Sequence, residues 1–532
     1  MEDRAPPRDG RASRFDIALK FAGTHSALEA LWRSAIAPKA RATRRRLVST
    51  YFDTSDYRLR RRGFALRVRQ EGDGYRQTVF AVRGEPNGAA RSGGEWSAPL
   101  ETAAPDLTRI VDPEVRERIG LVIPGELAAI FTTDVTRQAK RYRIGRGKRA
   151  AQIEAIWEQG ELLCGGRKEA ICELELAVLD GSPAAAQREA VRLLETAPLA
   201  CQPLSQADRG FALALGEPPQ VRKADTPSLA RDLPVEDGLE RILTSCVTHW
   251  LANHAAVLDG RDPEGVHQMR VALRRLRSAL TIFKDVLPAD DRAWLQREAK
   301  FLIGGLGGAR DWDVFVEELL SPVLAARPDD EGLKVLEQAV SRQRRLAYER
   351  AWQTLGSPRY LKFALELEAW LTERGWRRRE PPDGLERKLI ELAAAVLDRR
   401  HRKAIKLGRK FDRLSDDALH RLRISLKKLR YATEFFATLH GKGETKPYLA
   451  SLRRLQDDLG HLNDLAVAEA RLTALCAEEG EDKARALELP SGTVIGWHSH
   501  ALARVRPRIA KDWRAFARAQ PFWRDKTAAP KP

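Results

Sequence analysis

The sequence predicts a multidomain α+β protein, with an antiparallel β region first and an all-α region, built twice, second. Three observations predict this. Short alternating runs extend to about residue 213, long amphipathic runs follow residue 235, and a basic motif returns after 420 − 267 = 153 residues. A chain of 532 residues also exceeds one core, because domains usually run about 100 to 200 residues.

Residues 1–13 are polar and carry prolines, and read as a disordered arm. Across residues 14–215, runs such as Phe64-Ala-Leu-Arg-Val-Arg69 and Ile171-Cys-Glu-Leu-Glu-Leu176 alternate apolar with charged residues. Turn signals separate them, including Gly72-Asp-Gly74 and Asp180-Gly-Ser-Pro183. Alternation puts every second side chain on one face, so the charged residues share a face. Residues 216–234 hold several prolines without periodicity and read as a linker. From 235 to 525, aliphatic residues recur at helical spacing among exposed Arg, Lys and Glu. The repeat divides this region into halves of about 235–380 and 381–525.

Composition narrows the function classes. No run approaches the roughly 18 apolar residues of a membrane span, so a soluble, non-membrane protein is expected. The start, Met1-Glu2-Asp3-Arg4, lacks the apolar stretch of a secretory signal, and the five cysteines are odd in number and scattered, which fits a reducing cytoplasm. Lys plus Arg outnumber Asp plus Glu by 92 − 74 = 18, pointing to an acidic partner: nucleic acid, a membrane surface or polyphosphate.

The repeat gives that charge a place. His267-Gln-Met-Arg-Val-Ala-Leu-Arg-Arg-Leu-Arg277 reappears as His420-Arg-Leu-Arg-Ile-Ser-Leu-Lys-Lys-Leu-Arg430, and Leu306-Gly-Gly-Ala-Arg-Asp311 as Leu459-Gly-His-Leu-Asn-Asp464, at one common offset. Two separated matches at one offset imply duplication of a whole unit, each large enough for a helical bundle. On a helix, at roughly 100° per residue, His267, Arg270, Arg274 and Arg277 fall on one stripe beside an apolar sector of Met269, Leu273, Leu276, Leu280 and Phe283. His420, Arg423, Lys427 and Arg430 reproduce the stripe. Each runs for about 15 Å, enough to follow a linear anion. Arginine offers phosphate a planar fork of donors, lysine a mobile charge, and a histidine beside phosphate is biased toward its charged form. A basic helix face is usually just solvated; retention of the cation spacing in both copies argues against that here. Gly304-Gly-Leu-Gly-Gly308 reads as close helix packing rather than a phosphate cradle, and Asp311 and Asp464 as residues that cap or orient neighbouring cations, with metal binding the weaker alternative. His498-Ser-His500 has the wrong spacing for a metal pair on one helical face.

Val266-His267-x-x-Arg270 with Arg274-Arg275-x-Arg277, and Leu419-His420-x-Leu-Arg423 with Lys427-Lys428-Leu-Arg430-Tyr431, resemble the two halves of a CHAD domain across roughly residues 235–525. The resemblance implies two pseudo-symmetric four-helix bundles with a basic channel between them that binds inorganic polyphosphate and requires no cofactor. The stripe residues occupy its basic positions.

Tyr51-Phe-Asp-Thr54, Leu66-Arg-Val-Arg69, Glu95-Trp96, Ile171-Cys-Glu-Leu-Glu175 and Ala207-Asp-Arg-Gly210 resemble a CYTH domain over about residues 14–215. That family folds as a closed antiparallel β tunnel whose basic side chains hold a triphosphate and whose carboxylates hold Mg²⁺ or Mn²⁺ for hydrolysis. CYTH followed by CHAD is a bacterial pairing often labelled an inorganic triphosphatase. The pattern is eroded here. Asp16-Ile-Ala18-Leu-Lys20 stands for Glu-x-Glu-x-Lys, Gln77-Thr-Val-Phe80 for Gln-Thr-Leu-Lys, Glu95-Trp-Ser97 for Glu-x-Glu, and Gln206 for a lysine. Lys20, Arg67, Arg69, Arg137 and Arg209 remain for triphosphate, with Glu95, Glu173 and Glu175 as metal ligands if the tunnel is active. Ion pairs with tunnel arginines are an equal role for Glu173 and Glu175.

Three classes follow. The favoured one is a polyphosphate-binding protein with weak or absent hydrolysis, cytoplasmic and able to sit on polyphosphate granules. The second is a metal-dependent triphosphatase acting on tripolyphosphate. The third, a nucleic-acid binder, is disfavoured because the stripes lack stacking aromatics apart from Tyr431 at one edge.

Overall fold

The computed structural model describes residues 19–81, 95–110, 112–119, 126–147, 150–182, 184–377, 383–478 and 480–524. The arm at 1–13 and the expected tunnel positions Asp16 and Ala18 lie outside them. The chain forms two compact units, residues 1–220 with 356–373 and residues 221–355 with 374–532.

The first unit is built on a nine-stranded sheet with order β5-β4-β3-β2-β6-β7-β8-β1-β9. The strands are β1 (Lys20–Ala22), β2 (Thr43–Thr54), β3 (Phe64–Glu71), β4 (Gly74–Ala81), β5 (Glu95–Leu100), β6 (Leu127–Ile144), β7 (Ala151–Cys164), β8 (Arg167–Gly181) and β9 (Ala200–Cys201). Each neighbouring pair is antiparallel. The expected turn at Gly72-Asp73 closes the β3–β4 hairpin, where Glu71 pairs with Gly74 and Gly72 adopts a left-handed φ of 60° that only glycine takes without strain. Alternation sorts the faces: Leu47 and Tyr51 of β2, Phe131 and Val135 of β6, and Leu162 of β7 join one apolar cluster with Phe211.

Phe211 lies on helix α2 (Gln206–Leu215), preceded by α1 (Ala185–Leu194). Ser205 and Asp208 form a reciprocal capping box that fixes where α2 starts. Gly210 lets it approach the sheet: a Cβ there would stand 2.1 Å from the Phe131 ring. The helix Pro358–Thr372, which the sequence places in the first helical half, belongs to this unit instead. Tyr360, Leu361, Phe363, Leu365, Leu367 and Trp370 are all buried, so it presents apolar side chains nearly all round and packs against α1.

In the second unit, α3 (Val235–Ala252), α4 (Glu264–Ile282), α5 (Ala289–Gly305) and α7 (Glu331–Leu355), with short α6 (Gly307–Val314), form one half. Helices α8 (Leu389–Leu407), α9 (Asp416–Phe436), α10 (Lys442–Glu478) and α11 (Glu481–Arg518) form the other. The repeated motifs lie on α4 and α9, which pack against each other, as α7 does on α11. Residues 221–234 of the expected linker are anchored, not loose: Asn253 Nδ2 donates to the Arg222 carbonyl at 2.9 Å, and Leu229 N–H donates to Thr438 Oγ1 at 3.0 Å. No helix among the described residues is long and apolar enough to cross a membrane.

Candidate functional site

The amphipathic pattern of α4 buries Met269, Leu273, Leu276 and Leu280, which fixes the azimuth of its cations. Arg270 is itself buried. Its Nη2 lies 3.7 Å from Asp311 Oδ1, and its Nη1 donates to the Ile303 carbonyl at 3.4 Å. In the second copy Arg423 Nη2 lies 3.5 Å from Asp464 Oδ1. Each acid therefore orients the arginine that shares its offset. The equivalent glycines make room: a Cβ on Gly307 would come 3.0 Å from Arg270 Nη1, and one on Gly460 would come 4.0 Å from Arg423 Nη2. Close packing, as expected, explains this glycine; Gly305 similarly abuts Thr354.

The two stripes meet around Arg274. Its charge acts on His267 and Arg270 of its own helix and on Arg423 and Lys427 of α9. Burial, then Arg274 and Arg310, pulls Arg270 down to about 10 against the pull of Asp311. Burial, then Arg310 and the stripe arginines, holds His267 at about 4, so without an anion this ring is neutral rather than charged. Lys427 falls from 10.5 to about 7, through burial and then Arg423 and Arg274, with Asp464 opposing. Arg277 and Arg430 are more engaged: Arg277 Nε donates to Gln296 Oε1 at 3.0 Å, while Arg430 lies 3.8 Å from Glu434 and 5.5 Å over Tyr431. His420 stands exposed near the start of α9.

Two cations outside the stripes complete the cluster. Arg310 pairs loosely with Glu317 and Glu318 at 3.8 and 3.9 Å, and Arg471 donates to Asp311 at 2.6 Å while resting over Trp312. Arg310 sits inside the repeated segment beside Asp311, a signal that could have found it. Arg471 has no such signal, since 471 − 153 = 318 is a glutamate. His498 contacts the Leu319 carbonyl at 2.8 Å, a structural role.

In the first unit, Lys20 lies 3.6 Å from Glu173 and 3.7 Å from Glu175; burial opposes its charge, but Glu173, Glu175 and Glu158 prevail and raise its pKa. Arg209, on α2, pairs with Glu169 at 2.7 Å and with buried Glu173. Arg67 lies 3.7 Å from exposed Glu95 and over the ring of Phe80, the residue standing where a lysine was expected. Arg69 donates to Ser49 Oγ at 3.0 Å, and burial followed by Arg67 lowers it to about 10, with Arg137 adding to the repulsion. Arg137 pairs with Glu158 at 3.8 Å, and Gln206 donates to Glu158 at 2.7 Å. Arg67, Arg69 and Arg137 thus come together, while Lys20 and Arg209 are neutralised by the strand-β8 carboxylates. Among the described residues no group of three or more His, Cys, Asp or Glu converges on a metal position. A hard divalent ion needs several oxygen ligands. Glu173 is held by Arg209 and Lys20, Glu175 by Lys20, and Glu95 lies beside Arg67, so this donor set does not fit one.

The CYTH domain family matches residues 16–211, and the CHAD domain family matches residues 241–473. The chain carries a CYTH domain followed by a CHAD domain. The CYTH domain is the β tunnel unit, and the CHAD match takes in both stripes. Two uncharacterized proteins of Mycobacterium tuberculosis are 30% identical over 247 residues, covering 44% of this chain and 47% of each relative, so the match spans about half their length. Among solved structures, the CHAD domain from the plant Ricinus communis is 30% identical with a TM-score of 0.49, over 57% of this chain and 98% of its own. PptA from Streptomyces chartreusis is 19% identical with a TM-score of 0.42, over 53% of this chain and 100% of its own.

Proposed function

We propose that the CHAD domain binds inorganic polyphosphate along the α4 and α9 stripes, while the CYTH domain engages tripolyphosphate or a chain end at Arg67, Arg69 and Arg137 with little or no hydrolysis. One observation carries this reading: half-buried Lys427 faces the charges of Arg423, Arg274 and Arg430, which leaves a cation cluster short of negative charge. Charges of one sign at low dielectric repel strongly, and an entering polyanion reverses that term. Charge-assisted bonds to phosphate oxygens then contribute about 1.5 to 3 kcal/mol each. The family resemblance favours polyphosphate over nucleic acid, and a cytoplasmic protein able to sit on polyphosphate granules fits this ligand.

Calorimetry with long-chain polyphosphate tests the reading on wild type and on a variant with Arg270, Arg274, Arg423 and Lys427 all changed to Ala. Binding is expected to be lost in the variant, and unchanged binding sinks the reading. A metal-dependent triphosphatase is the second reading, supported by the CYTH match and the Arg67–Arg69–Arg137 group. Phosphate release from tripolyphosphate with Mg²⁺ or Mn²⁺ is its direct measure.

A further inference from the structure

The duplication makes α8 and α9 the counterparts of α3 and α4, and the outer grooves of the two pairs differ in what fills them. In the first copy the groove is covered by the protein's own chain. The Arg222 carbonyl accepts from Asn253 Nδ2 at 2.9 Å and lies 3.1 Å from His249 Nε2. Arg222 N–H donates to Asn253 Oδ1 at 3.0 Å, and Arg275 Nη2 donates to the Asp225 carbonyl at 3.2 Å. An extended segment, residues 222–225, therefore runs along α3 and α4.

Shifted by 153, His249 becomes Arg402, Asn253 becomes Lys406, Gln268 becomes Arg421 and Arg275 becomes Lys428. Among the described residues, the groove that Arg402, Lys406 and Arg421 line on α8 and α9 is open. It is a cavity of about 640 Å³ bounded by Arg402, Lys403, Lys406, Leu407, Leu414, Ala418 and Arg421, with no carboxylate among its lining residues. His249 and Asn253, the neutral side chains that read the Arg222 carbonyl in the first copy, and Gln268 behind them have thus been replaced by full cations. Substitution of this kind changes the preferred occupant from a peptide to a fully charged anion.

The groove also connects to the stripes. Lys428 follows Lys427 on α9, and after burial its charge is opposed by Lys403 and Arg400 of α8 and by Arg277 of the first stripe. Arg400 bridges this junction by donating to Ser278 Oγ at 3.1 Å and to the Lys428 carbonyl. On α9 the groove is lined by Ala418 and Arg421, and Lys428 lies about 10 Å further along the same helix.

We propose that a polyphosphate chain longer than the stripes passes Arg277 and Lys428 and continues in this outer groove, where Arg402, Lys403, Lys406 and Arg421 form a second anion site that short chains do not reach. The inference rests on the polyphosphate reading of the stripes. It gives the protein a built-in preference for length, present on one copy only because residues 222–225 occupy the equivalent groove of the other.

The test is titration of the full chain at several salt concentrations with long-chain polyphosphate and with chains no longer than one stripe. It compares wild type, a variant with Arg402, Lys406 and Arg421 changed to Ala, and a charge-matched control with Lys334, Arg345 and Arg350 of α7 changed to Ala. By the single-strand rule of about 0.7 per neutralised phosphate, removing three contacts lowers the long-chain salt slope by roughly 2. Short-chain binding and the control are expected to match wild type. Unchanged long-chain binding in the groove variant, or an equal loss in the control, overturns the second site while leaving the stripes standing. Wild type that binds neither chain overturns the polyphosphate reading and this inference with it.

Discussion

On the proposed polyphosphate reading, Lys427 makes binding depend on pH, and the downward shift of its pKa sets the direction. With no anion present, its ammonium titrates at about 7 instead of 10.5, a preference for the neutral form of about 5 kcal/mol. Phosphate oxygens drawn in beside Lys427, Arg423 and Arg274 supply the missing counter-charge and return the lysine to its charged form. At pH 8 the empty site holds roughly 0.1 proton on Lys427 and the loaded site close to one, so binding takes up roughly 0.9 proton. Affinity then falls by about fifty-fold between pH 7 and pH 9, as loading must recruit a proton from ever scarcer supply. Calorimetry at pH 8 in two buffers of different ionisation enthalpy measures the uptake directly. Lys427→Arg keeps the charge without the titration and should flatten the pH profile. The same shift predicts stability. The folded pKa is below the unfolded one, so the penalty on folding is absent above pH 10.5, grows as pH falls and is complete below pH 7. Lys427→Met should therefore stabilise the empty protein at pH 6 far more than at pH 10, measured by urea unfolding, while weakening the ligand. Heats identical in both buffers, or a stability gain unaffected by pH, would refute the reasoning.

Two further outcomes follow from the pairings of the acids. Asp311→Ala leaves Arg270 and Arg471 without their shared carboxylate and should destabilise the empty protein by about 1 to 2 kcal/mol, given that Asp311 is partly exposed; thermal unfolding should show the loss and its recovery on adding polyphosphate. Glu173→Gln removes the charge that balances buried Arg209, so unfolding should show a loss of about 3 kcal/mol or more, with phosphate release from tripolyphosphate unchanged from the wild-type level. An active wild type silenced by this substitution without loss of stability would instead establish a metal role for Glu173.

What the sequence made legible was whatever the duplication or a short-range pattern repeated. The stripes, the orienting acids Asp311 and Asp464 and the close-packed Gly307 and Gly460 share one offset, and helical period then fixes their faces. Arg471 was invisible because its counterpart is Glu318, so no repeat marks it, and its place beside Asp311 depends on how α10 meets α6. The membership of Pro358–Thr372 was invisible for another reason: a helix apolar nearly all round carries no signal of which neighbour it joins. In the tunnel, Lys20 and Arg209 read from the motif as phosphate ligands. Strand register places Lys20 opposite Glu175, and α2 carries Arg209 to Glu173, contacts that no local pattern encodes.

The two copies share a motif but not a charge balance, and that difference locates the demand for an anion. In the first copy Asp311 serves two arginines and the half-buried His267 is neutral, so part of the repulsion is already relieved. In the second copy Asp464 pairs with Arg423 at 3.5 Å and among the described residues no ion pair reaches Lys427, which, with only the more distant pull of Asp464, carries the cost of burial beside three cations. A lysine in that position adds nothing to the stability of the empty fold, because a neutral side chain of the same length would pack without the penalty. Its value appears only when negative charge enters between α4 and α9. The same reasoning sorts the cations of the CYTH domain: Lys20 and Arg209 already have carboxylate partners and gain little from phosphate, whereas Arg69, opposed by burial and by Arg67, has an unmet term of the same kind as Lys427.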